Sequence, residues 1–322
     1  MSCLQTRPRT RAHLLLASLG AAALWACDDR SVTPPTEPTA EPADALVKDA
    51  SKVKDASKKT LIAFGSDRDG GNTEIYVMKP DGKKPTRLTN NTDFDFSPAW
   101  SPDRTRIAFV SFPNGGTDGN IFVMNADGTG RTQLTTDPSY EENPDWSPDG
   151  SKIAFNRNGE IIVMNADGSN QTALPHEATD NDWDPDWSPD GTRIAFTRDR
   201  GFNQVGQIWV MNADGSGAVP LSQNQFDETG ATWSPDGSRI AYNSQRTSNH
   251  VAVMNADGSG QTTLTPAGES SGLPTWSLDG SQIAFMSMAG GNADIYVMNA
   301  DGSGRTQLTT DPASDSGPGW AR

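Results

Sequence analysis

Five acidic residues of this chain share one spacing, each standing five positions before a tryptophan. They are Asp95, Glu141, Asp182, Glu228 and Asp315, and Ser271 holds the sixth such position. Clustered carboxylate oxygens are ligands that Ca²⁺ prefers in proteins. Like charges held close together also repel one another until a counter-charge neutralises them. If the fold gathers these residues into a ring, that ring is predicted to bind a divalent cation or a basic segment of a protein partner.

The same spacing is compatible with a structural role for these acids. A carboxylate just before a Pro-x-Trp strand can accept hydrogen bonds from backbone amides of its own loop and cap the turn. Both roles stay open, because a hydrogen-bonded carboxylate can still face a ligand. Arginines are expected on loops of the same face, where they would surround the acids with a partly basic rim suited to a protein surface. These arginines are Arg68, Arg157, Arg198, Arg200 and Arg246.

Patterns that would support catalysis are weak in this sequence. Residues 268–272 match the G-x-S-x-G pattern of serine hydrolases, but no strand-to-helix elbow is expected there and no histidine follows. His176, with Glu177, Asp180 and Asp182, is a single histidine in an acidic loop, unlike the histidine clusters of zinc enzymes. No glycine-rich phosphate loop opens a helix. We therefore predict no catalytic residue, no required cofactor and a non-enzymatic protein.

A repeat of 41 to 46 residues positions these groups. Its elements are W-S-P-D-G, I-A-F, V-M-N-A-D-G and L-T, and its tryptophans are Trp100, Trp146, Trp187, Trp233, Trp276 and Trp320. Four short strands and their turns in about 44 residues is the size of a propeller blade. In the second unit, strands are predicted at 98–101, 106–111, 120–125 and 132–135. The sequence thus predicts an all-β fold, a six-bladed β-propeller of four-stranded blades.

The two ends of the repeat region complete one blade between them. The first unit starts at its I-A-F element, Ile62 to Phe64, without a Trp strand, whereas residues 317–322 contain a Trp strand and nothing after it. We predict that this C-terminal strand pairs into the N-terminal blade, which closes the ring and removes an exposed edge. The acids then gather on loops at one mouth of the central channel, where Ca²⁺ is the candidate ion. Loops vary among the units on that face, so recognition is expected there.

The N-terminal residues read as an export signal followed by a tether. Arg7, Arg9 and Arg11 precede an apolar stretch too short to span a bilayer, which is typical of a secretory signal. Residues 24–27, Leu-Trp-Ala-Cys, resemble the bacterial lipobox, although Trp25 replaces the usual small residue. The predicted parts are a lipoprotein signal peptide at 1–26, lipidated Cys27 with a flexible tether at 27–59, and the propeller at 60–322. The alternative is a secreted protein whose Cys27 is incidental.

The net charge limits the classes of binding partner, and the cysteine count limits the possible disulfides. The chain carries a net charge of -15. Removing the three signal arginines gives -18 from Cys27 onward. Such a charge repels nucleic acid and anionic headgroups, so neither is expected as a partner. At most one cysteine survives processing, which excludes an internal disulfide. A monomer held to the membrane by its lipid is expected.

Over residues 61–322, the W-S-P-D-G, I-A-F and V-M-N-A-D-G-S-G elements resemble the WD40-like propeller repeats of the TolB family. This resemblance implies a propeller whose mouth binds the peptidoglycan-associated lipoprotein of the Tol-Pal envelope system. The chain departs from the family in lacking an α/β domain before the propeller and in carrying a lipobox. We expect a lipid-anchored, periplasm-facing binding or scaffold module, with the membrane undecided. The alternatives are a lyase-type propeller enzyme acting on carbohydrate and a calcium-stabilised structural repeat protein.

Overall fold

The structure, a computed structural model, describes residues 60–321, apart from 114, 115, 117, 178, 201–204 and 247. The predicted signal peptide, Cys27 and the tether lie outside the described residues. In the described part, 24 strands form six antiparallel sheets of four strands each, so the predicted all-β propeller is confirmed. None of the residues that the structure describes belongs to a helix long and apolar enough to cross a bilayer.

Each sheet is one blade, with strands a to d running from the channel outward. Blade 1 contains β1 (Ile62–Ser66), β2 (Glu74–Met78), β3 (Thr86–Arg87) and, as its strand a, β24 (Asp315–Trp320). Blade 2 contains β4 (Phe94–Trp100), β5 (Arg106–Phe112), β6 (Asn120–Asn125) and β7 (Thr132–Gln133). Blade 3 contains β8 (Glu141–Trp146), β9 (Lys152–Arg157), β10 (Glu160–Asn165) and β11 (Thr172–Ala173).

The remaining three blades repeat this order along the chain. Blade 4 contains β12 (Asp180–Trp187), β13 (Arg193–Arg200), β14 (Gln207–Asn212) and β15 (Val219–Pro220). Blade 5 contains β16 (Asp227–Trp233), β17 (Arg239–Gln245), β18 (Asn249–Asn255) and β19 (Thr262–Thr263). Blade 6 contains β20 (Ser271–Trp276), β21 (Gln282–Ser287), β22 (Asp294–Asn299) and β23 (Thr306–Gln307).

The a strands contact one another around a closed ring, β4 to β8, β12, β16, β20, β24 and back to β4. The predicted closure by the C-terminal strand is confirmed: β24 pairs antiparallel with β1, with Trp320 opposite Ile62 and Asp315 opposite Ser66. This pairing leaves β24 between β1 and the channel, so the N-terminal blade has no unpaired strand a.

The hydrophobic core is divided among the blade junctions. Each of six apolar clusters draws its members from two adjacent blades. Phe109 of the I-A-F element is fully buried, and so is Ile121 in the apolar run of strand c. Trp146 donates its indole N–H to the Ala99 carbonyl of the preceding blade at 3.2 Å. Burying one such large side chain contributes about 1.5–3 kcal/mol, so neighbouring blades stabilise each other.

Alternate turns of an antiparallel blade lie on opposite faces, so the a–b and c–d turns form a bottom face. Eleven aspartates occupy these turns, and each accepts a hydrogen bond from the backbone N–H two residues later. They are Asp81, Asp103, Asp127, Asp149, Asp167, Asp190, Asp214, Asp236, Asp257, Asp279 and Asp301. The b–c and d–a loops form the top face.

The a strands begin earlier than the sequence predicts. In blade 2 the strand starts at Phe94 rather than at residue 98, because a β-bulge lets it continue past Pro98. Every a strand has this irregularity, and the residue three before each tryptophan has a positive φ between 50° and 61°. Those residues are Ser97, Asn143, Asp184, Gly230, Leu273 and Gly317. The predicted placement of the acids on loops is therefore wrong, since they lie within the strands.

Candidate functional site

The five carboxylates lie at one level of the propeller, near the top end of the a strands. Each pairs with the same position near the end of strand b: Asp95 with Ser111, Glu141 with Arg157, Asp182 with Arg198, Glu228 with Ser244 and Asp315 with Ser66. All five are buried, with at most 2 % of the residue exposed. The structure thus places them at equivalent positions around the ring, beneath the top surface.

The backbone at these positions ties adjacent blades together. The N–H of Glu141 donates to the Gly119 carbonyl of the preceding blade at 3.0 Å, and the N–H of Asp182 donates to Gly159 at 2.8 Å. Asp95, Glu228 and Asp315 donate in the same way across their own junctions. In blade 2 the Thr135 hydroxyl also donates to the Glu141 carboxylate of blade 3. Each acid position is therefore part of a blade junction.

Arginines neutralise four of the five carboxylates. Arg198 donates to both oxygens of Asp182 at 2.7 Å, and Arg68 donates to both oxygens of Asp315 at 2.9 and 2.8 Å. Arg157 donates to Glu141 at 2.7 Å, and Arg131 lies 3.5 Å from Asp95. Burial raises the pKa of each of these carboxyls, while hydrogen bonds and the nearby arginine oppose it. Their charge is compensated inside the protein.

Three members of the predicted basic rim, Arg68, Arg157 and Arg198, are the internal partners of the acids. The expectation of a separate rim is wrong for these three, because each guanidinium folds onto its own blade. Arg246 is exposed and stacks on Phe226 at 4.6 Å, and the side chain of Arg200 lies outside the described residues. Sequence reasoning missed the pairing, although Glu141 and Asp182 both precede their arginines by sixteen residues.

The weak catalytic and metal patterns are not assembled into a site. In the described part of the chain, no group of three or more His, Cys, Asp or Glu side chains is arranged to hold a metal ion. His176 Nε2 lies 3.8 Å from Glu160, while Asp182 is engaged by Arg198. Within residues 268–272, Ser271 is buried in strand β20 and donates to the Ser287 hydroxyl at 3.0 Å. Cation or partner binding by the five carboxylates stays a prediction.

An aromatic ladder, defined as Phe94, Phe96, Phe112 and Tyr140, lies on the top face between blades 2 and 3. The Phe96 and Phe112 rings are 5.4 Å apart and the Phe112 and Tyr140 rings 5.6 Å apart, both stacked. Phe94 pairs with Phe112 across the strands and is 46 % exposed. Sequence reasoning missed this ladder, because Tyr140 and Phe112 lie on different repeats and only the blade junction brings them together.

Polar side chains connect the a strands on one half of the ring. Asn143 donates to Asp184 of the next blade, and Gly230 N donates to Asp184 Oδ2 at 3.2 Å. Asn156, Thr197 and Asn243, which follow I-A-F or I-A-Y in blades 3 to 5, accept from the bulge N–H of the next blade. Gly65, Val110 and Met286 hold that position in the other blades. At this position the side chains are polar in blades 3 to 5 and apolar or absent in the other blades, a difference that aligning the repeats could have shown.

Comparisons with known proteins agree with this architecture. The sequence model of the TolB beta propeller domain matches residues 56–160 and 156–272. TolB from Acinetobacter baumannii has a similar fold, with a TM-score of 0.70 and 23 % identity over 87 % of this chain and 70 % of that one. The oligogalacturonate lyase from Vibrio parahaemolyticus is similar in fold alone, with a TM-score of 0.53 and 13 % identity over 79 % and 73 % of the two chains.

Sequence similarity to a curated relative is local. The Tol-Pal system protein TolB of Desulfosudis oleivorans is 43 % identical over 60 residues, which are 19 % of this chain and 14 % of that protein. The match thus spans a small part of the relative's length. The family match, in contrast, covers most of the blades. Together with the six four-stranded sheets, it establishes that the chain belongs to the TolB beta propeller domain family.

Proposed function

We propose that this protein is a non-enzymatic binding or scaffold module of the bacterial envelope that recognises a protein partner through the top face of its propeller. The aromatic ladder on the top face between blades 2 and 3 is the observation that carries this proposal. Phe94 is the most exposed aromatic side chain of the described residues, and it lies next to three stacked rings. Aromatic side chains supply much of the binding energy at protein interfaces.

The difference between the bottom-face turns and the top-face loops also supports the top face as the binding surface. Bottom-face turns repeat nearly verbatim from blade to blade, and their aspartates form hydrogen bonds within their own turns. The top-face loops differ in length and composition among the blades. A rigid scaffold that presents variable loops is the usual arrangement of a recognition surface. The propeller therefore offers one uniform face and one face suited to a specific partner.

The Tol-Pal name of its relative suggests the first partner to test, a peptidoglycan-associated lipoprotein. In this proposal the protein faces the periplasm and is held to a membrane by a lipid on Cys27. The five carboxylates hold the strands that carry the mouth. Their direct contact with a partner, and Ca²⁺ in the channel, are parts of the proposal that a ring of Asn and Gln substitutions and a Ca²⁺ titration would test separately.

Two matched substitutions test whether the partner binds to the top face. Phe94→Ser removes the exposed aromatic group from the top face, and Leu278→Ser removes a similarly exposed side chain, at 41 %, from the bottom face. We expect Phe94→Ser to weaken binding of the lipoprotein at least about tenfold, as for an interface residue worth more than 1.4 kcal/mol. Leu278→Ser should bind like the native protein. Equal loss in both variants, or in neither, would contradict recognition through the top face.

A further inference from the structure

A guanidinium group occupies the same place in five of the six blades. In blade 4, Arg198 lies 5.0 Å from the Phe196 ring and 4.9 Å from the Trp209 ring while it binds the buried acid. Equivalent rings of strands b and c are covered in blades 1, 2 and 6, and the strand-b ring alone is covered in blade 3, where Ile162 holds the strand-c position. There the arginines are Arg68 in blade 1, Arg131 in blade 2, Arg157 in blade 3 and Arg305 in blade 6.

The arginines that reach this place come from three different positions in the repeat. Arg157 and Arg198 lie near the end of strand b, Arg131 and Arg305 precede strand d, and Arg68 lies in the b–c loop. In blade 6, where Ser271 replaces the acid, Arg305 pairs with Glu269 instead. Because arginines reach this location from three positions of the repeat, the location itself, a strand-b aromatic ring with a carboxylate nearby, favours a planar cation. We call this location the guanidinium slot.

Blade 5 has the carboxylate, but no arginine fills its slot, although Arg246 stands two residues after Ser244 as Arg68 stands two residues after Ser66. Ser244 stands where Arg157 and Arg198 stand in their blades, and Gln261 stands where Arg131 and Arg305 stand. Ala252 replaces the larger strand-c side chain of the other blades. In the part of the chain that the structure describes, no guanidinium covers Tyr242, and Arg246 lies over Phe226 in the neighbouring loop.

Glu228 is consequently the exception among the five acids. It is fully buried, and its Oε1 accepts from Asn224 at 2.8 Å and from Ser244 at 3.4 Å. Its Oε2 atom is buried and has no hydrogen-bond partner among the described residues, and it differs from Asp95 Oδ1, which also lacks one, in that Arg131 lies 3.5 Å from the Asp95 atom. Burial raises the pKa of Tyr242, so this phenol stays protonated and adds no charge of its own beside Glu228. A buried carboxylate oxygen without a partner favours binding of a cation.

We propose that the guanidinium slot of blade 5 is a binding site for a guanidinium group carried by another molecule, seated over Tyr242 and paired with Glu228. The planar group would donate to the Oε2 atom as Arg198 donates to Asp182. The slot is reachable, because the arginine side chains of blades 1, 2, 3 and 6 are 15–31 % exposed. This site is distinct from the aromatic ladder, so it does not depend on the partner proposed above.

Arginine substitutions within blade 5 should fill the slot and stabilise the protein. Gln261→Arg copies the arrangement of blades 2 and 6, and Ser244→Arg copies blades 3 and 4. We expect either variant of the full chain to melt about 2–4 °C higher than the native protein, the shift typical of one added favourable interaction in a domain of this size. Ala218→Arg is the control, because it places arginine at the equivalent position of blade 4, where Arg198 already occupies the slot; it should bring no increase.

Methylguanidinium tests binding from outside the chain. At millimolar concentration it should raise the melting temperature of the native full chain, since a ligand of the folded state stabilises that state. The increase should be absent in Gln261→Arg, whose slot is filled, and in Glu228→Gln, whose carboxylate is neutralised. No increase in the native chain, or an equal increase in Gln261→Arg, would overturn the proposal. A response to methylammonium but not to methylguanidinium would overturn the assignment of the ligand class.

Discussion

The acidic residues of the bottom face and the buried acids of the a strands use one functional group in two ways. On the bottom face, Asp149 accepts hydrogen bonds from Ser147 and Ser151, both two residues away. In the a strand, Asp182 binds Arg198 of another strand, and its N–H binds Gly159 of another blade. The first arrangement is complete within one turn, whereas the second needs a neighbouring strand for its ion pair and a neighbouring blade for its backbone hydrogen bond.

The environments also move the pKa values of these groups in opposite directions. Hydrogen bonds in an exposed turn lower the pKa of Asp149 to about 2. Burial raises the pKa of Asp182, although Arg198 opposes that effect. A turn that satisfies itself can be copied verbatim from repeat to repeat. A buried ion pair needs only its final geometry, so the arginine can come from different positions of the repeat. This difference explains why the bottom face is uniform and the buried pairs are not.

Deleting residues 317–322 is the most severe test of the long-range arrangement. The deletion removes most of β24, exposes the edge of β1 and empties the place of buried Trp320. We expect a loss of more than about 5 kcal/mol in the free energy of unfolding, since removing one buried Trp side chain alone costs about 3–5 kcal/mol. Urea unfolding of the full chain measures it, with deletion of Arg322 alone as the control. An unchanged midpoint would show that the closing strand does not stabilise the ring.

Replacing Arg198 by methionine tests the buried pair itself. The change leaves the Asp182 carboxylate buried without its cation, so we expect a loss of about 3–5 kcal/mol. Arg193→Met is the matched control, because Arg193 stacks on Trp233 at 4.5 Å with no ion pair among the described residues. It should lose about 1 kcal/mol or less. Adding Asp182→Leu to Arg198→Met should recover much of the loss, as removing both charges usually does. Similar losses in the two single variants would contradict this account.

The sequence predicts the number and order of the blades better than the contacts between their side chains. The repeat of W-S-P-D-G and I-A-F predicts the number of blades and the closing strand, since both depend on counting copies. It misses the start of β4, because the strand continues through a bulge at Ser97, a non-glycine residue with a positive φ that a strand pattern does not indicate. The repeat pattern also indicates no link between Asp182 and Arg198, which are predicted as two separate surface groups. Their pairing depends on the register between strands a and b, which the repeat pattern alone does not specify.

Substitution of Asp149 tests the hydrogen bonds of a bottom-face turn. Its expected effect on stability is the smallest of these predictions. Asp149→Ala removes turn hydrogen bonds in an exposed site, so we expect a loss of about 0.5–1 kcal/mol at pH 7. The folded pKa of about 2 lies below the ordinary value for aspartate. The carboxylate's contribution is therefore present above the unfolded pKa of about 3.9 and is lost as the pH falls toward 2.

The pH dependence of the melting temperature distinguishes the effect of the Asp149 charge from that of its hydrogen-bonding oxygen. Melting curves of the native chain and of Asp149→Ala should keep their separation from pH 7 to about pH 4 and converge as the pH falls further toward 2, because protonation removes the charge that strengthens the turn. Asp149→Asn keeps an oxygen acceptor that does not titrate, so its difference from Asp149→Ala should stay constant over the same range. If the native chain and Asp149→Ala keep the same separation down to about pH 2, the turn does not depend on the carboxylate charge. The bottom-face aspartates would then resemble neutral turn residues, and the contrast with the buried pairs would rest on distance along the chain alone.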